Sequence, residues 1–284
     1  MSCLNTPSLY LSTSIPQHKT MFKKNLNNST LTFPQDKLIN FEETTHTYTV
    51  KGIGTMTPVS TVISKFFKEF DAMYWSMKKC NNNAVEAARL RETWQAKGAV
   101  ASQAGTFMHQ QIENFLNTGN EPDNMICATI YKGTYIQQQI NVDITTEWKF
   151  FKAFNNNTRY TPFRTEWCVY DPDVRMAGTI DLLCSCGDGT YEIYDWKRSN
   201  KINPLEQTRW CGINGMEHIC DTSYNHYCLQ QNLYRYMLER HYGMTISRMN
   251  LVVLHPELDN YRIVPIKRMD KEVGIILKFL ATTY

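Results

Sequence analysis

The chain has 284 residues, 42% hydrophobic and 20% charged, with 30 Lys and Arg against 27 Asp and Glu for a formal net charge of +3. That composition excludes global disorder and a coiled coil, and the longest apolar runs, such as Leu251 to Leu254, are far too short to cross a bilayer. So small a positive excess does not mark a nucleic-acid binder, and any polyanion would have to meet a local basic channel.

Residues 1–40 are rich in Ser, Thr and Asn, carry Lys19, Lys23 and Lys24, and hold no acid before Asp36. They read as a flexible N-terminal tail, with an organelle-targeting segment as the alternative that the lack of Arg opposes. A single globular domain is expected over 41–284. Residues 46–50 alternate ahead of Gly52 and Gly54 and predict a strand and turn. Thr57 and Pro58 open a helix through Val62, Ile63, Phe66 and Phe67. Two more helices are predicted over about 84–96 and 100–116; the second sets Val100, Ala104, Met108, Ile112 and Leu116 on one arc, with His109 at its edge.

Between 120 and 160 only a helix near 147–154 is legible. Strands follow over 163–170, 176–184 and 190–196, the last two joined as a hairpin at Gly187-Asp188-Gly189. A polar stretch leads to a long helix over about 224–242, stopped by Gly243. Strands over 248–254 and 261–266 and a helix from Asp270 complete the chain. Central strands between flanking helices predict one α/β domain around a mixed sheet. The nine cysteines form no disulfide framework, and with no secretory signal they imply reduced thiols in an intracellular compartment, whether cytoplasm, nucleus or mitochondrion.

Asp181 and Asp195 fall on the two strands of the predicted hairpin, so both carboxylates can reach one edge of the sheet. Two such groups repel, and a divalent cation relieves the repulsion. Lys197, two residues beyond Asp195, shares its face. Acids, a cation and an ammonium suit phosphodiester hydrolysis, although a lone D-x-K is common on solvated hairpins.

Asp181, Asp195-Trp196-Lys197, the pair Gln230 and Tyr234 on the next helix, and His109 upstream occur in the order of the PD-(D/E)xK nuclease motifs. Over about residues 45–270 the chain resembles that superfamily. It is most similar to the RecB-type exonuclease branch, which includes phage, large-virus and mitochondrial genome maintenance exonucleases. The resemblance implies a restriction-endonuclease-like mixed central sheet flanked by helices, and Mg2+ or Mn2+ as cofactor. It makes His109, Asp181, Asp195 and the Trp196 carbonyl the metal ligands and Lys197 the catalytic lysine. Glu166 would hold a second metal or brace Lys197. Gln230 and Tyr234 would orient the site and touch the nucleic-acid backbone.

The implied activity is DNA cleavage, as an exonuclease at single-stranded or frayed ends, in recombination, repair or replication. Asp181→Ala or Lys197→Ala should then abolish cleavage with folding largely intact. Rival readings are an RNA endonuclease of cap-snatching type and a nuclease-dead DNA-binding scaffold. The chain has no P-loop signature, so a helicase or recombination partner would be a separate protein. No iron–sulfur cluster is expected, because the last cysteine, Cys228, precedes Tyr234. The C-x-x-C spacing of a zinc knuckle is also missing.

Arg164, Lys197, Arg198, Lys201 and Arg209 crowd the proposed site in sequence, and Lys65, Lys68, Lys78 and Lys79 mark the early helices. Basic groups track phosphates and aromatic faces stack on unpaired bases. Trp75, beside Lys78 and Lys79, is the expected stacking residue, whereas Phe66 and Phe67 read as core. Tyr234 taken alone also reads as core, since Leu233, Tyr234, Met237 and Leu238 follow helical spacing.

Overall fold

A computed structural model describes residues 33–43 and 45–282. The chain is a mixed α/β domain whose large sheet runs β1 (Ile39–Glu42), β2 (Thr47–Val50), β3 (Gly54–Pro58), β7 (Met176–Ser185), β8 (Thr190–Lys197), β9 (Thr245–Val253) and β10 (Arg262–Pro265), with β6 (Thr161–Asp171) paired to β7. Alternation along β8 and β9 sends side chains into two cores. Ile193, Leu251 and Val253 pack with the long helix α5 (Ser223–His241), the short α1 (Val59–Ser64) and the last helix α6 (Asp270–Ala281). Trp196, Val252 and Leu254 pack on the other side, with α3 (Ala84–Thr118) and α4 (Thr145–Asn157).

The sheet forks at β7. One edge of β7 pairs with β6 along its whole length. The other edge takes β3 in parallel at Met176 and Ala177, then β8 antiparallel only from Leu182 onwards. Residues 178–181 therefore lie between two diverging neighbours. Ile180 joins one core and Leu182 the other, although a regular strand sends i and i+2 to one face, so the alternation slips at Asp181.

Several expectations change. The helices expected at 84–96 and 100–116 are one helix of 35 residues, started by the Asn83 side chain on the amides of Val85 and Glu86 and ended by Gly119 at φ 76°. Residues 120–144 contain a separate hairpin, β4 (Ile126–Lys132) with β5 (Gln137–Asp143). A helix not foreseen, α2 (Ala72–Lys79), precedes α3. Phe66 and Phe67 lie beyond the end of α1 but are core, as expected.

Most of the expected tail, 1–32, lies outside the described residues. Its remainder is structured, with a 3-10 turn at Pro34–Lys37 leading into β1. There Asp36 accepts a hydrogen bond from the Trp167 indole at 2.8 Å and pairs with the Arg164 guanidinium at 3.6 Å. Arg164 is 1% exposed, too deep to meet a phosphate, so the nucleic-acid role expected of it is withdrawn. Asp36→Ala should cost about 2–3 kcal/mol, since it removes the carboxylate from a buried cation; urea unfolding measures this, and an unchanged midpoint would contradict it.

Candidate metal and catalytic site

The fork collects the polar residues. Continuing the β7–β8 register beyond Leu182↔Tyr194 sets Asp181 opposite Asp195. There β8 has splayed away, and the Trp196 amide donates to the Asp181 carboxylate at 2.9 Å instead of to a ladder carbonyl. On the opposite edge, the pairs Thr165↔Leu182 and Trp167↔Ile180 bracket Glu166 and set it across from Asp181. Like charges directly opposite are unfavourable, and Glu166 also has φ 42°. A non-glycine residue in the left-handed region within a strand is strained, a condition concentrated at functional sites.

His109 reaches this pair from α3. Its Nδ1 lies 3.5 Å from Asp181 and 3.6 Å from Glu166, and its Nε2 lies 2.9 Å from the Trp196 carbonyl. Burial pulls the imidazole pKa down, but the two carboxylates outweigh it and raise it to about 9. Burial likewise pushes the Asp181 carboxyl up, against the pull of His109. The donor atoms of His109, Glu166 and Asp181 all lie within 4.8 Å of one another. Two opposed carboxylates, one strained, with an imidazolium drawn between them, fit a divalent cation; oxygen donors with one imidazole suit magnesium or manganese.

Of the expected ligands, His109 and Asp181 meet here, and Glu166 joins them directly. Asp195 is engaged elsewhere: one oxygen accepts from Gln231 at 2.8 Å and the other pairs with the Lys197 ammonium at 2.6 Å. Burial pushes the Asp195 carboxyl up to about 6 despite Lys197. Burial lowers the Lys197 pKa, but Asp195 more than offsets this and holds it above the usual lysine value. The Lys197 ammonium also lies 4.8 Å from the Tyr227 ring centroid.

On α5, Gln230 donates to the Tyr234 hydroxyl at 3.3 Å. Tyr234 is buried over Gly178, so it is packing rather than a contact for a nucleic-acid backbone. Gln231, buried and bonded to Asp195, escaped sequence reasoning. Its signal was present: an amide between Leu229 and Leu233 on an apolar helix needs a partner. Arg198 is bound at 2.6 Å to the fully buried Glu147, tying the end of β8 to α4. Lys201 is exposed, and Trp75 half-buried beneath Lys78. Asp171, Asp173 and His241 form another acid–imidazole group, but Asp171 is already used to close the β6–β7 turn through the amides of Asp173 and Val174.

No family model and no curated protein matches the chain. A solved structure described as the crystal structure of SSO0001 aligns over 80% of this chain and 72% of that one, at 10% identity and a TM-score of 0.30, a likeness too slight to carry any argument. Among the described residues no helix is long and apolar enough to cross a membrane.

Proposed function

We propose that this chain is a metal-dependent DNA nuclease of the PD-(D/E)xK type, cutting phosphodiester bonds at single-stranded or frayed ends. The observation that supports this reading is the meeting of His109, Glu166, Asp181 and the Asp195–Lys197 pair at the sheet fork. His109, Glu166 and Asp181 would hold the cation, which when bound supplies a lowered water pKa and charge shielding for the phosphate. Asp195 and Gln231 fix the ammonium of Lys197, which orients the attacking water and stabilises charge developing on phosphate oxygens. A time course on end-labelled and circular DNA, single- and double-stranded, with and without magnesium or manganese, tests the activity. Loss of labelled ends with circles spared supports an exonuclease. Cleavage surviving excess EDTA, or confined to RNA of the same sequence, overturns the proposal.

Metal binding should depend steeply on pH. A histidine pKa raised in the folded state stabilises the metal-free protein below about pH 6.5, and that contribution is lost as pH rises through about 9. A cation must displace the same proton, so manganese affinity should rise nearly tenfold per unit between about pH 7 and 9. Calorimetry measures this; a flat affinity would remove His109 from the ligand set. Saturating manganese should also raise the melting temperature by roughly 5 °C, a gain that Asp181→Asn should lose.

A further inference from the structure

An aromatic cluster stands exposed where α2 meets the start of α3. Phe70, Trp75, Lys79 and Trp94 line a cavity of about 430 Å³. Phe70, Met73 and Tyr74 are 64%, 58% and 53% exposed. Phe70 meets Trp94 edge-on at 5.9 Å, while the ammonium groups of Lys78 and Lys79 lie 5.2 Å and 5.7 Å from the rings of Trp75 and Trp94. Helix α2 has no acid of its own, and Asp71 before it is turned back to cap the Tyr74 amide. The exposed rings of Phe70 and Tyr74, next to half-buried Trp75 and Trp94 with lysine ammonium groups over them, match the two chemistries of a nucleotide, a flat base and an anionic phosphate.

A second observation links this cluster to the site. Gly98, Ala101, Gly105 and His109 follow Trp94 along α3 at close to whole turns, within an arc of about 80°. Gly98 and Ala101 are exposed and Gly105 half-buried, and a Cβ built on either glycine meets nothing within 4 Å. Glycine inside a helix costs stability relative to alanine, and here no neighbour requires it. The small residues leave an open floor between the rings and the imidazole. Fifteen residues of helix span about 22 Å, roughly six nucleotides at a stacked spacing of about 3.4 Å.

We infer that this floor and the Phe70–Trp75–Trp94 cluster form a track for single-stranded DNA, gripping a base about six nucleotides from the one being cut. The inference rests on the nuclease reading for its direction, but binding tests it separately. Fluorescence anisotropy of labelled oligothymidylates with the full chain in EDTA should show affinity rising at least fivefold between four and twelve nucleotides. Trp94→Ala should abolish that rise and Trp94→Phe should keep it. Gly98→Leu should raise the melting temperature, by placing a good helix former in open space, yet also abolish the rise. Equal affinity for both lengths, or a rise that survives both Trp94→Ala and Gly98→Leu, overturns the track and assigns the cluster to a protein partner. A length-dependent gain without DNA cleavage under any metal sinks the nuclease reading alone; cleavage without the gain sinks the track alone.

Discussion

Lys197→Ala should reduce the cleavage rate by about 10²- to 10³-fold or more, the usual loss when one preorganised donor to a developing charge is removed. It should also destabilise the fold, contrary to the sequence-based expectation that folding is largely untouched. Lys197 pairs at 2.6 Å with Asp195, which is only 2% exposed, and removing one partner of a buried pair typically costs about 3–5 kcal/mol. The carboxyl can limit that loss by taking a proton, because burial already holds it up to about 6 with Lys197 in place. A raised carboxyl pKa favours the fold below the unfolded value of about 3.8, and the benefit disappears as pH rises through the folded value. Urea unfolding of Lys197→Ala should therefore show a deficit that grows from pH 5 to pH 8. Adding Asp195→Asn should recover much of it without restoring cleavage. Full activity in Lys197→Ala would end its catalytic assignment; a pH-independent deficit would mean Asp195 is not the stranded partner.

The strands and helices that carry the motifs were legible because each advertises itself locally. β7 and β8 are joined by a Gly-Asp-Gly turn, and α5 is an apolar arc closed by Gly243. The continuity of α3 was hidden by Gly98, which reads as a break but costs only about 1 kcal/mol inside a helix held at both ends. The β4–β5 hairpin was hidden because Gln137, Gln138 and Gln139 are all exposed, so no alternation marks the strand. What no local pattern could reveal is pairing. The insertion of β3 beside β7, the placing of Glu166 against Asp181 and the burial of Arg164 under Asp36 all depend on long-range register. Arg164 shows the hazard most plainly: nearness in sequence to a basic cluster says nothing about which side of the sheet a guanidinium takes.

Gly178→Ala should be nearly as damaging as loss of a catalytic group, although residue 178 has no chemistry. Gly178 does not adopt a positive φ, so its backbone would accept alanine; only space forbids it. A Cβ there would sit 2.5 Å from Tyr234 Cε1 and 3.0 Å from its hydroxyl. The ring has nowhere to go, since Leu233, Met237 and Leu238 beside it on α5 are fully buried. The helix must lift from the sheet instead, and overpacking of this kind costs about 1–3 kcal/mol. Lifting α5 also carries Gln231 away from Asp195, which loosens the residue that fixes Lys197. Cleavage should fall by roughly 10²-fold, as expected when reacting groups shift by about an ångström, with a smaller change in DNA affinity. Tyr234→Leu in the same chain removes the clashing ring and should recover stability and part of the rate, giving a coupling of about 1–2 kcal/mol in a double-mutant cycle. Additive effects of the two changes would show that the ring and Gly178 act independently and that α5 does not transmit the contact to the site.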